Sequence, residues 1–257
     1  MVDAKHISAV KQLKLLLSIA ALCAVGIAAY WSPELLGDDH ASEINHGSIR
    51  AKTAHLSEDY VTEIGPAERS YDPLTPGVVE YCPLDRLTRP GCAFADLTLS
   101  QRRFAQEEGR LPIQVDPPGW QGNREVAILA LESVEGSRDY RGWFWNRSHL
   151  IADSLGGSAG PENLISGTRM QNVGSTQTGG MSYTETIARS WLDSQTDDSC
   201  PLYYAATPQY IGDELVPRSV KVDMRSCDGT IDIGLTVLNI ANGYAIDYST
   251  GEFTVDQ

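Results

Sequence analysis

Lys11 and Lys14 stand before an apolar run over residues 15–30 (LLLSIAALCAVGIAAY), and this feature constrains everything after it. A basic flank followed by an apolar run is an export signal. The run is long for the apolar part of a cleaved signal peptide and short for a helix that spans a bilayer. Residues 1–30 therefore read either as a signal peptide, with Gly26, Ala28 and Ala29 offering a cleavage site, or as a signal anchor holding residues 13–30 in the membrane. Both readings put the body of the protein outside the cytoplasm, either secreted or on the outer face of the membrane. Cys23 follows the bulky Leu22, which disfavours a lipoprotein.

An exported chain folds in oxidising surroundings, so its remaining cysteines are read as disulfides. Cys82, Cys92, Cys200 and Cys227 form an even set with no CxxC spacing, which also argues against a zinc site. Their order allows three pairings. Cys82–Cys92 with Cys200–Cys227 is favoured, because the first bridge closes a short Pro/Gly loop (CPLDRLTRPGC).

Residues 31–72 are polar and weakly periodic, and they read as a linker without fixed structure. His40, His46 and His55 read as ordinary linker residues. From residue 73 to 257 the texture is that of one mixed α+β domain. LTLSQRRFAQEE reads as a short helix or turn, and QVDPPGW is irregular because its two prolines break any element. REVAILAL is ambiguous between strand and helix, and DYRGWFWN reads as extended. YTETIARSWLD has helical spacing, with Ile187 and Trp191 one turn apart. The tail (PLYYAATPQY, VPRSVKVDM, TIDIGLTVLNI) reads as antiparallel sheet joined by hairpins.

The chain of 257 residues carries 34 acidic and 20 basic side chains, a formal charge of -14. That excludes holding nucleic acid by bulk charge, though not touching a few phosphates in one local cleft. Basic residues gather at Arg138, Arg141 and Arg147, and again at Arg102 and Arg103.

His149 is the only histidine after residue 55. A lone imidazole of this kind is structural in most folds, or it is free to act as a base. Asn163, Arg169, Asn172 and Glu185 follow in a polar, glycine-rich segment. Such side chains cap turns or, with retained waters, supply the oxygen ligands that suit Mg²⁺.

The strings WNRSHLIADSLGG, ENLISGTRMQNVG and GGMSYTE, in that order, resemble the DNA/RNA non-specific endonucleases of the ββα-metal (His-Me finger) superfamily, in their streptodornase-like branch of secreted bacterial DNases. The similarity covers residues 143–220. It implies a ββα-metal nuclease core with antiparallel sheet, and an endonuclease that cuts DNA, with RNA as a second substrate, to give 5′-phosphate ends. It implies Mg²⁺ as cofactor, with Mn²⁺ as a substitute. His149 matches the general base and Asn172 the direct metal ligand. Glu185 matches the glutamate acting on the metal through water, and Asn163 an asparagine that orients the site. Arg147 matches the arginine before the histidine, a phosphate contact, with Arg169 and Arg218 as further phosphate candidates. Asn146 and Ser148 depart from the aspartate and glycine of many relatives. Other classes compatible with the sequence are an interbacterial toxin nuclease with an immunity or inhibitor partner, a non-catalytic nucleic-acid-binding module at the cell surface, and a purely structural exported protein.

Overall fold

The tail strands expected over residues 201–240 form the centre of the main sheet. The computed structural model describes residues 59–256. The export segment, Cys23, His40, His46 and His55 lie outside the described residues. In chain order the elements are β1 (Val61–Gly65), β2 (Glu80–Tyr81), β3 (Ala93–Leu97), α1 (Leu99–Glu108), β4 (Glu125–Ile128), β5 (Tyr140–Trp143), β6 (Trp145–His149), β7 (Leu164–Thr168), α2 (Arg169–Val173), α3 (Gly180–Asp193), β8 (Leu202–Gln209), β9 (Ser219–Ser226), β10 (Asp232–Leu238), β11 (Tyr244–Ile246) and β12 (Phe253–Val255). Among the described residues no helix is long and apolar enough to cross a membrane.

Six strands pair antiparallel in the order β1-β10-β9-β8-β3-β2. Alternation sorts their side chains onto two faces. Leu202, Tyr204 and Ala206 share one face with Val220, Val222, Met224, Leu235 and Val237, and all are buried. Helix α3 covers that face with Met181, Ala188, Trp191 and Leu192, spaced as one helical stripe. Each large side chain so buried stabilises the fold by about 1.5–3 kcal/mol. Three two-stranded ribbons, β4-β5, β6-β7 and β11-β12, flank the sheet. A second core joins them, in which Phe144 stacks on Phe253 at 3.7 Å between centroids and the Trp145 indole donates to Gly251 O at 2.9 Å.

The other face of the sheet is covered by residues that the sequence assigned to the linker. Tyr71 stacks on Phe94 at 4.8 Å, and Arg69 lies 4.6 Å over the Tyr203 ring while donating to both oxygens of Asp96 at 3.0 and 2.9 Å. Strand β1 pairs with β10, with Val61 opposite Val237. The expected boundary at residue 72 is therefore corrected: residues 59–72 belong to the folded unit. The five residues of β1 bury only Val61 fully, so they carry no alternation to read.

Both disulfides form as favoured, Cys82–Cys92 across the β2-β3 hairpin and Cys200–Cys227 between the start of β8 and the end of β9. The first closes a separation of 10 residues and the second one of 27. On chain entropy alone these bridges stabilise by roughly 2.7 and roughly 3.5 kcal/mol. Urea unfolding of Cys82→Ser/Cys92→Ser and of Cys200→Ser/Cys227→Ser should show the larger loss for the second pair. The reverse order would refute the loop-length account.

Candidate active site

The site grows from the β6-β7 ribbon. His149 ends β6 opposite Leu164, and Trp145 begins it opposite Thr168. Side chains two apart on a strand share a face, so Trp145, Arg147 and His149 point the same way. The chain then leaves through the 3₁₀ turn Asp153–Leu155 and returns through Pro161–Asn163. Asn163 closes this loop and is fully buried (0%). Its Oδ1 accepts from Ile151 N at 3.0 Å, and its Nδ2 donates to Ile151 O at 2.9 Å and Ser158 O at 2.8 Å. Both polar atoms of that buried amide are engaged with the loop backbone, so Asn163 holds the segment after His149 in place.

Helix α2 follows β7 without a linker, because the Thr168 hydroxyl caps it by accepting from Gln171 N at 2.9 Å. This puts Asn172 one turn into the helix, beside β6. The Ser148 hydroxyl donates to Asn172 Oδ1 at 3.1 Å, so the residue that departs from the glycine of many relatives orients the amide. Helix α2 stops at Gly174 (φ +67), where a Cβ would run into the Asp59 carboxylate. Asp59 was not read as functional from the sequence. Its Oδ1 accepts from Ser175 N and Oγ at 2.7 and 2.5 Å, and its Oδ2 from Thr176 N and Oγ1 at 2.8 and 2.6 Å. The connection from Asn172 to α3 is thus tied to the N-terminal end of the described chain.

On α3, Glu185 pairs with Arg189 one turn later, Nη1 to Oε2 at 3.2 Å. The same Nη1 donates to Ser154 Oγ at 3.3 Å, which links α3 to the loop after His149. Burial pushes the Glu185 carboxyl up, and Arg189 and then Arg110 pull it back. Burial holds the His149 imidazole below its ordinary 6.5; Arg110 lowers it further, and Asp153 opposes. One guanidinium, Arg110, is therefore close enough to act on both His149 and Glu185. No motif or periodicity marks Arg110, which lies in the irregular stretch after α1.

Arg110, Trp120, Tyr140, Trp143, Trp145, Arg147, Arg169 and Asn172 line one open cleft of about 640 Å³. Arg147 lies 4.6 Å over the Trp120 ring and donates to Asp116 Oδ1 from Nε at 2.8 Å and from Nη2 at 2.5 Å. Arg169 lies 5.2 Å over the Tyr140 ring and donates to Gln177. The local positive cleft inside an acidic body is thus formed by Arg110, Arg147 and Arg169. Arg102 is instead buried and paired with Asp193 at 3.5 Å. Arg218, the remaining phosphate candidate, does not line the cleft. Glu214, four residues earlier, accepts from its Nη2 at 2.5 Å, and the guanidinium lies 4.5 Å over Tyr248.

Among the described residues no three His, Cys, Asp or Glu side chains group as a metal site. The oxygen donors the sequence assigns to a metal are the Asn172 amide, which lines the cleft, and the Glu185 carboxylate, which pairs with Arg189. An ion that takes few protein ligands and keeps its waters, as Mg²⁺ does, fits such a set. A site closed by thiolates and imidazoles does not, because the four cysteines of the domain are spent in disulfides.

The chain is similar to known nucleases. A deoxyribonuclease from Streptococcus dysgalactiae subsp. equisimilis is 42% identical over 123 residues, 48% of this chain and 36% of that protein, so the match spans about a third of the relative's length. Sda1 nuclease with bound zinc ion superposes with a TM-score of 0.69 at 28% identity, covering 77% of this chain and 98% of that one. NucA from Streptococcus agalactiae with magnesium ion bound gives 0.59 at 25% identity, covering 77% and 88%. The shared architecture is the α+β, antiparallel-sheet fold of the ββα-metal nucleases. The family model for DNA/RNA non-specific endonuclease matches residues 71–228, more than half of the chain, and the chain belongs to that family.

Proposed function

We propose that the chain is an exported, metal-dependent endonuclease that hydrolyses phosphodiester bonds in DNA, and also in RNA, with little sequence specificity. The observation that carries this reading is one cleft lined by an oriented carboxamide and three guanidinium groups, one of which, Arg110, acts on the buried His149 imidazole.

Arg147 and Arg169 grip the phosphate on either side of the scissile bond. Substrate displaces Asp116 from Arg147 on entry. That pair is partly exposed, 38% and 51%, and exposed pairs are worth at most about 1 kcal/mol. Neutral His149 takes a proton from water as the water oxygen bonds to phosphorus and the bond to the 3′ oxygen breaks; the leaving oxygen takes a proton from solvent to become a 3′-hydroxyl, the phosphate stays on the 5′ side, and His149 returns its proton to solvent. Asn172 would hold a divalent cation directly, and Glu185 would steady it through water. A cation held there would supply charge neutralisation to the phosphate and the leaving oxygen. Arg189 and Ser148 fix the two side chains that would carry it.

The test is relaxation of supercoiled plasmid by the full chain against metal concentration. Wild type should cut with Mg²⁺ or Mn²⁺ and stop with a chelator. Asn172→Ala should need at least about tenfold more metal, in line with the usual cost of losing a metal contact, and should turn over more slowly. Glu185→Ala should show the same change in weaker form. Plasmid left supercoiled with both metals and intact disulfides would favour a nucleic-acid-binding module without turnover.

A further inference from the structure

Given the nuclease reading above, we propose that Trp143 is a stacking platform for one unpaired nucleobase beside the bound phosphate, and that the preferred substrate is single-stranded or locally melted nucleic acid. Trp143 ends β5 and is 55% exposed, whereas its neighbours Phe144 and Trp145 are buried. A large ring left half in water in the lining of the arginine cleft is open to a ligand. The other aromatic groups nearby are engaged: Trp120 carries Arg147, Tyr140 carries Arg169, and Phe144 carries Phe253. Among the described residues no ring or guanidinium stacks on Trp143.

The indole is also well placed. Trp143 sits in register opposite Glu125, and its carbonyl accepts from the Tyr140 hydroxyl at 3.0 Å. Gly142 (φ +153) makes that bond possible, because a Cβ there would run into the same hydroxyl. The arginines that would track a phosphate backbone line the same cleft. Asn123 spends its amide on the Trp145 backbone, donating at 3.1 Å and accepting at 2.9 Å. A ring that stacks on any base, beside charges that hold any phosphate, is sequence-tolerant. A base paired inside a duplex presents no free face to it.

The experiment is fluorescence anisotropy with the full chain in chelator, so that nothing is cut, using oligo(dT), an abasic oligomer of equal length, and a duplex. Alanine substitution of a stacking aromatic weakens binding ~5–150-fold per base. Trp143→Ala should lose that much on oligo(dT), far less on the abasic oligomer and the duplex, and Trp143→Phe should recover most of it. Equal losses on all three ligands, or no loss on oligo(dT), would overturn the platform. A wild type that cuts plasmid while Trp143→Ala binds oligo(dT) normally removes the platform alone. A wild type that never cuts but shows the stacking pattern removes the nuclease reading alone.

Discussion

His149→Ala is expected to lower the rate of plasmid cleavage ~10²–10⁴-fold, the usual worth of a positioned base. Ground-state binding should change little, because a neutral imidazole contributes little attraction to a phosphate. The pH profile gives a second readout. Burial, and then Arg110, hold the imidazole below 6.5. A depressed value keeps the base unprotonated further into the acid range, so the acid limb of kcat/KM should lie below 6.5. Arg110→Ala removes a positive neighbour and should raise that limb. It should still stay below the ordinary histidine value, because burial is the larger cause and remains. An acid limb above 6.5 in wild type, or His149→Ala cutting at the wild-type rate near neutral pH, would assign the base elsewhere.

The part of the site that could be read from the sequence is the part that is local in it. His149, Asn163 and Asn172 lie on one ribbon and the helix that follows it directly, so their spacing along the chain is nearly their spacing in the fold. Glu185 falls on a helix whose apolar stripe is visible in the sequence. REVAILAL stayed ambiguous because four residues of strand have no period to show; pairing with β5 decides it. Arg110, Asp116 and Trp120 come from an irregular stretch that only the fold carries to the cleft. Arg218 shows the converse: its charge is plain in the sequence, but its place away from the cleft, against Glu214 and Tyr248, is set by the fold.

Asp59 is the case where distance along the chain hid the most, and its substitution should have the largest effect on stability. The carboxylate is 6% exposed and accepts from Ser175 and Thr176, |i−j| 116 and 117, through both backbone and side chain. Its backbone oxygen accepts from Gly180 N at 3.0 Å, the first residue of α3. Hydrogen bonds to a charged group each contribute about 1.5–3 kcal/mol, and buried donors left without a partner add their own cost. Asp59→Ala should therefore destabilise the fold by at least about 3 kcal/mol in urea unfolding. The effect should reach the chemistry as well, because the tied segment sets the spacing between Asn172 on α2 and Glu185 on α3. Well below its unfolding midpoint, Asp59→Ala should still need more Mg²⁺ than wild type to relax plasmid. A purely structural role would leave that requirement unmoved once the protein is folded. A chain begun at residue 73 loses this carboxylate, the β1 edge strand and the cover of Tyr71 and Arg69 over the sheet together, and should fail to fold stably. Wild-type cleavage and metal dependence from that shortened chain would show that the N-terminal segment is dispensable and that α2 and α3 hold their spacing without it.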